Sequence, residues 1–198
     1  NIKGDFMKNI LCFEGEWKFN THKKPERFDL NSEPILRMLK EYHKCDAIYR
    51  HILTKEDLKH YIEYFNRNKR EWNKIDIVYI ACHGWFHSIS LEGENGNVDL
   101  QELADIAGDF FRDKIVHFSC CKTLANTSEV EHFKSITGAK LVCGYKKSVD
   151  AMKSAIADTA LLNELITSNK PGNIKNIAIS KFRKTYKSLL NELDFCAI

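Results

Sequence analysis

The feature that most constrains the fold is a regular alternation of short apolar runs with longer amphipathic segments. Strands are predicted over 9–13, 47–52, 75–81, 115–119 and 139–143, where Ile and Val favour buried, pleated backbone. Between these runs, apolar residues recur at helical spacing, as in Leu58, Ile62 and Phe65 after the capping-box pattern of Thr54 and Asp57. Such alternation predicts an α/β fold with a mostly parallel sheet covered by helices on both faces.

Predicted helix starts and one hairpin turn fill the segments between the predicted strands. Ser32 and Asp99 are predicted to cap helices, Ser128 to open another, and two long helices over about 148–167 and 174–193 to close the chain. The Asn-Gly pair within 93–96 predicts a hairpin between 89–91 and Val98. Because no linker or repeat divides the chain, we expect one domain over 7–198, with Met7 as a natural start and 1–6 as a possible cloning remnant.

Composition narrows the class of function. Thirty Lys and Arg against 27 Asp and Glu give a formal net charge of +3, which does not point to a nucleic-acid partner. No apolar run approaches the roughly 20 residues that span a bilayer, and no signal peptide is predicted. Seven irregularly spaced cysteines favour reduced thiols in a cytoplasmic protein. We therefore expect neither a membrane partner nor a cofactor.

Two predicted strands end in reactive side chains. His83, followed by Gly84, ends one strand, and Cys121 ends the next main strand after Ser119 and Cys120. Because adjacent parallel strands lie about 4.8 Å apart, the imidazole and the thiol could face each other at the carboxyl edge of the sheet. A cysteine nucleophile requires this pair, since a nearby imidazole raises the thiolate fraction and later protonates the leaving amine.

The same turns offer backbone donors for a developing oxyanion. The N–H groups of Gly84 and Cys121 are the candidates, and Gly84 would let a substrate carbonyl approach closely. Two alternatives remain at this point. His83 and Cys121 could be ordinary strand-end residues, and Cys120 could be the nucleophile, since a shift of one residue exchanges the two thiols.

The runs VYIACHG and VHFSCCKT, separated by the hairpin and a short helix, resemble the His-Gly and Ser-x-Cys-x-Thr segments of caspase-like cysteine peptidases. The branch that they resemble most is the CHAT domain, a bacterial relative of caspases and separases. The run GAKLVCGYKKSVDAMKSAIADTALLNELI also resembles the strand, turn and long helix that follow the cysteine in that branch. The resemblance covers about 75–166 and implies a caspase-like three-layer sandwich, with Cys121 as nucleophile and His83 as general base.

The resemblance also bears on substrate preference. The caspase motif Gln-Ala-Cys-Arg-Gly is absent, so aspartate specificity is not expected. In the caspase-like fold, the end of the first strand and the turn after the cysteine-bearing region help to line the pocket for the residue before the scissile bond. These places hold Glu14, Glu16 and Asp150 here, which implies a preference for Lys or Arg. Alternatively, Glu14 and Glu16 are solvated and Asp150 supports a helix N-terminus.

We therefore expect a cysteine endopeptidase with a protein or peptide substrate, as an effector in bacterial stress or antiviral defence. An activating protein or nucleotide ligand and a homodimer are further partners to consider. The alternative function is a non-hydrolytic sensor that recognises a signalling nucleotide or a partner protein. No metal is predicted, because Cys82, His83, His87, Cys120 and Cys121 lack the spacing of a zinc site.

Overall fold

The computed structural model describes residues 7–17, 31–92, 96–168 and 174–198. Its strands are β1 (Asn9–Glu14), β2 (Ala47–His51), β3 (Ile75–Ala81), β4 (His83–Trp85), β5 (Ser88–Ser90), β6 (Asn97–Asp99), β7 (Ile115–Ser119), β8 (Leu141–Tyr145) and β9 (Phe195–Ala197). Its helices are α1 (Glu33–His43), α2 (Lys55–Arg67), α3 (Lys69–Trp72), α4 (Leu100–Ala107), α5 (Thr127–Thr137), α6 (Ala151–Thr167), α7 (Ser180–Thr185) and α8 (Lys187–Leu193). A 3-10 turn covers Gly108–Phe111, and a π-helical segment covers Lys175–Ile179.

Within the described part of the chain, six strands form the central sheet, in the order β2-β1-β3-β7-β8-β9. All neighbouring pairs are parallel except β8 and β9, so the predicted α/β architecture with a mostly parallel sheet is confirmed. The strands β4, β5 and β6 form a separate antiparallel sheet. Its pair Ile89 and Val98 confirms the predicted hairpin pairing, while 93–95 of the turn lie outside the described residues.

Alternate side chains of each central strand lie on opposite faces of the sheet and pack into two separate apolar layers. Leu11 and Phe13 of β1 belong to the layer that includes α2, α4 and α5, which we call the α2 layer. Ile10 and Cys12, one residue out of step, belong to the layer that includes α1, α6, α7 and α8, which we call the α6 layer. This period of two gives a sandwich of three layers, with the sheet buried on both faces.

Several predicted helix ends are found in the structure, and others differ. Thr54 and Asp57 form a capping box on α2, and the Asp99 side chain accepts a hydrogen bond from the Glu102 N–H at the start of α4. In contrast, Asn126 caps α5, two residues before Ser128, which was predicted to open this helix. The predicted helix over 174–193 is interrupted in the structure, and the chain then adds the unpredicted strand β9 along β8.

A buried polar cluster joins α6 to the sheet. The Asp158 carboxylate accepts hydrogen bonds from Tyr79 of β3, from His117 and Ser119 of β7, and from Tyr145 of β8. All five residues are buried, and the His117 Nε2 lies 2.6 Å from the carboxylate. Because unpaired buried charge is costly, these four donors are required to keep Asp158 inside the core.

The protonation of His117 makes this cluster sensitive to pH. Burial disfavours the imidazolium, but the Asp158 carboxylate and the contact with Cys143 together raise the pKa of His117 well above its usual value of 6.5. The folded chain thus holds a proton that the unfolded chain releases once pH rises above that usual value. Stability from His117 is therefore complete below about pH 6.5 and is lost as pH rises through the raised folded pKa.

We expect the free energy of unfolding of the wild type, relative to His117→Gln, to fall as pH rises above about 6.5. The slope reaches about 1.4 kcal/mol per pH unit where one proton is released on unfolding, because glutamine keeps a donor to Asp158 but does not titrate. Urea unfolding of both chains across this range measures the difference. Parallel curves for the two proteins would contradict a charged His117.

Candidate active site

A cavity of about 270 Å³ opens at the carboxyl edge of the central sheet. Its lining residues come from the ends of β1, β3 and β7 and from the N-terminal halves of α1 and α6. His83 and Cys121 both line it, together with Glu14, Trp17 and Asp158. The two residues predicted to carry chemistry are therefore brought to the same cavity, as expected for neighbouring strands in register at Ala81 and Ser119.

His83 is held by a backbone carbonyl. Its Nε2 lies 2.7 Å from the carbonyl oxygen of Trp17, and the indole ring packs edge-on against the imidazole at 5.3 Å between centroids. A carbonyl oxygen only accepts hydrogen bonds, so Nε2 must carry a proton. In the neutral imidazole the basic lone pair then resides on Nδ1.

Cys121 is half-buried just beyond the end of β7. Its sulfur accepts a hydrogen bond from the N–H of Val149 at 3.4 Å and lies 4.0 Å from the Val149 carbonyl oxygen. Val149 lies two residues before α6, so the thiol is held between the end of a strand and the start of the long helix. This contact fixes the sulfur at the cavity wall.

Cys120 has a different environment. Its sulfur is buried in the α2 layer, 3.4 Å from the Cys82 sulfur and 3.4 Å from the Ile80 carbonyl oxygen. Burial, reinforced by Cys82, raises the pKa of the Cys120 thiol well above its usual value of 9.0. The thiol therefore stays protonated, and Cys120 is absent from the cavity lining. These observations favour Cys121 over Cys120 as the nucleophile.

Gly84 has no side chain, and this allows the segment after β3 to pack closely against the segment after β7. A Cβ at this position would lie 2.3 Å from the Cys121 carbonyl oxygen and 2.6 Å from Thr123 Oγ1. The Thr123 hydroxyl also donates to the Ser88 carbonyl of the small sheet at 2.9 Å. The segment that carries His83 therefore packs directly on the segment that carries Cys121, and any larger residue would separate them.

Glu14 is a buried carboxylate at the end of β1. It accepts hydrogen bonds from the Trp17 indole N–H at 2.8 Å and from the Ser32 N–H and hydroxyl at 2.8 and 2.9 Å. Burial and a hydrogen bond to Glu14 also raise the pKa of Tyr49. The donors that the described residues supply to Glu14 are therefore all neutral. Ser32 is turned toward this carboxylate and does not cap α1 with its side chain.

The other two predicted pocket acids do not line the cavity. Asp150 is exposed at the N-cap of α6, where its side chain accepts a hydrogen bond from the Lys153 N–H at 2.9 Å. The capping geometry directs this carboxylate to its own helix, which corresponds to the alternative considered for it. Glu16 is half-buried on the loop after β1 and also lies outside the lining. Of the three predicted acids, only Glu14 borders the cavity.

Asp158 is a lining residue that the sequence analysis missed. It occupies the buried face of α6, among Ser154, Ala157, Leu161 and Leu162. An acidic residue on an otherwise small and apolar helix face is the signal that could have identified it. Its carboxylate already accepts four hydrogen bonds, and charged His117 lies beside it, so its negative charge is compensated in the folded chain.

Among residues 7–17, 31–92, 96–168 and 174–198, no group of three or more His, Cys, Asp or Glu side chains is arranged to hold a metal ion. Within the same ranges, no helix has the length and apolar character needed to cross a membrane.

Comparisons with known proteins place this geometry in context. The solved structures that are similar include the Drosophila initiator caspase Dronc, at 9% identity, covering 96% of this chain and 76% of that chain with a TM-score of 0.54. Caspase-1 from Spodoptera frugiperda is similar at 13% identity, with 98% and 87% covered and a TM-score of 0.57. These likenesses show that the fold is caspase-like.

At the level of sequence, no curated protein matches the chain. A family model described as "Family of unknown function (DUF6642)" matches residues 7–197. Since this match spans nearly the whole sequence, the chain belongs to the DUF6642 family, and its fold is that of the caspases.

Proposed function

We propose that the protein is a cysteine endopeptidase in which Cys121 is the nucleophile and His83 is the general base. The observation that carries the proposal is that His83 and Cys121 border one cavity, where the Trp17 carbonyl binds Nε2 of His83 and so selects the tautomer whose lone pair is on Nδ1. The caspase-like fold supports this proposal.

In the proposed reaction, Nδ1 of His83 takes the proton of Cys121 and the sulfur attacks the peptide carbonyl carbon. The N–H groups of Gly84 and Cys121 stabilise the oxyanion, since the packing at Gly84 keeps the two backbone segments together. His83 then protonates the leaving amine, which leaves a thioester on Cys121. Water, deprotonated by His83, hydrolyses that thioester and restores the thiol.

Glu14 gives the proposed pocket its preference for a basic residue before the scissile bond. Its described donors are neutral, so its negative charge is not compensated by them, whereas His117 compensates Asp158. A Lys or Arg side chain entering the cavity would supply a charge-assisted hydrogen bond to Glu14.

The biological setting that we propose follows the sequence resemblance. The segments around His83 and Cys121 support a relationship to CHAT domains, and with it a cytoplasmic effector role in bacterial stress or antiviral defence. An activating protein or nucleotide would then switch the enzyme on, and the enzyme would cleave a protein substrate bound in this cavity.

We expect an acyloxymethyl ketone peptide ending in Arg to modify Cys121 at least ten times faster than one ending in Asp. His83→Ala should slow this labelling by about 100-fold, because general-base assistance contributes factors of that order. Mass spectrometry of the labelled peptides identifies the cysteine. His87→Ala is the matched control, since His87 lies on the same hairpin outside the cavity lining.

Modification of Cys120, or equal rates for His83→Ala and His87→Ala, would contradict the assignment of nucleophile and base. Absence of selective labelling in the full chain would favour the non-hydrolytic sensor instead.

We expect Glu14→Gln to lower the ratio of kcat/KM for an Arg peptide over a matched Ala peptide by about 10-fold or more. The substitution keeps the size of the side chain but removes a charge, and a hydrogen bond to a charged group contributes about 1.5–3 kcal/mol. Glu16→Gln, which removes a carboxylate that is not part of the cavity lining, is the control and should leave the ratio within about twofold. A ratio that changes with Glu16 and not with Glu14 would overturn this assignment.

A further inference from the structure

Two buried thiols lie directly behind the proposed catalytic residues. Cys82 precedes His83 and Cys120 precedes Cys121, and each follows the end of its strand, where Ala81 is paired with Ser119. Their sulfurs are 3.4 Å apart, and both residues are 1% exposed. All seven cysteines are among the described residues, and this is the one pair of cysteine sulfurs in hydrogen-bonding contact.

The positions suit a disulfide bond. Neighbouring parallel strands are about 4.8 Å apart, within the usual Cα separation of about 4.4–6.8 Å across a disulfide. An S–S bond is about 2.05 Å long, so bond formation would bring the two sulfurs closer by more than 1 Å. The pair therefore needs a local adjustment of the strand ends and no change of topology.

The residues packed against Cys82 and Cys120 would pass such an adjustment on to the segments of His83 and Cys121. A Cβ on Gly84 would lie 2.9 Å from the Cys120 Cβ, and one on Gly15 would lie 2.8 Å from the Cys82 Cβ. Gly84 in turn packs against the Cys121 carbonyl oxygen. Movement of Cys82 and Cys120 toward each other therefore changes the packing of both segments that present His83 and Cys121.

We propose that Cys82 and Cys120 form a reversible disulfide on exposure to a peroxide, and that this bond inactivates the neighbouring site. The consequence for activity rests on the proposed peptidase function, whereas the bond itself does not. Cys82 borders the cavity and Cys120 does not, so a small peroxide that enters there reaches the Cys82 sulfur before the Cys120 sulfur.

The chemistry balances as two steps. The Cys82 sulfur attacks hydrogen peroxide, the O–O bond breaks, and Cys82 becomes a sulfenic acid with release of water. The Cys120 sulfur then attacks the Cys82 sulfur, the S–S bond forms, and the hydroxyl leaves as a second water with the Cys120 proton. The two thiols lose two electrons in all and the peroxide gains them; a dithiol reductant reverses the change by thiol–disulfide exchange.

Peptide mapping tests the bond independently of activity. Full-length Cys121→Ser is treated with hydrogen peroxide, free thiols are alkylated, and the unreduced digest is examined by mass spectrometry. We expect a crosslink between the peptides that contain Cys82 and Cys120. The crosslink should form faster as pH rises, because burial raises the pKa of Cys120 and its attacking thiolate therefore becomes more abundant only at higher pH. Cys120→Ala in the same background should abolish it, and Cys45→Ala, which removes another buried thiol, should not.

Activity supplies the second measurement. Oxidised protein with intact Cys121 should react with the Arg probe about 100-fold more slowly, because a displacement of 1 Å near a catalytic group costs about that factor. A dithiol reductant should restore the rate, and Cys120→Ala should resist the loss.

The outcomes separate the two proposals. Absence of the crosslink, or an equal loss of labelling in Cys120→Ala through oxidation of Cys121 itself, would overturn the switch. A crosslink in a chain that never hydrolyses a peptide would support the modification site and contradict the peptidase function alone.

Discussion

The interaction on which the rest of the structure depends is the set of four hydrogen bonds that the buried Asp158 carboxylate accepts. A carboxylate transferred from water to a protein core is stable only where its partners are all in place, so the cluster requires strands β3, β7 and β8 and helix α6 to meet correctly. This requirement extends to the cavity. Val149, which contacts the Cys121 sulfur, lies just before α6, so the helix that is anchored through Asp158 also determines where the thiol is held.

The parts of the fold that the sequence predicted are those governed by local pattern. Apolar runs rich in Ile and Val became the parallel strands, the Thr54 capping box began α2, and His83 and Cys121 reached one cavity because the edges of adjacent strands coincide. The hairpin pairing of Ile89 and Val98 is of the same kind. In each case the controlling interactions lie within a few residues in sequence, or follow from the parallel arrangement of the sheet.

The parts that could not be predicted depend on contacts between distant residues. The partner of His83 is the backbone carbonyl of Trp17, and no residue type marks a carbonyl for that role. The strand β9 is three residues long and pairs with β8 only after the chain reverses at Asp194, which adopts a φ of 51°. Such features follow from tertiary packing, which overrides local propensity.

The two buried carboxylates of the cavity show how the same chemical group acquires different roles. Asp158 is compensated by a histidine whose pKa is raised, so the pair contributes little net charge to the space above it. Glu14 is held by the indole of Trp17 and by Ser32, which orient the carboxylate without neutralising it. Trp17 thus contacts Glu14 through its side chain and His83 through its carbonyl. One loop residue therefore sets the distance between the negative charge proposed to recognise the substrate and the imidazole proposed to act on it.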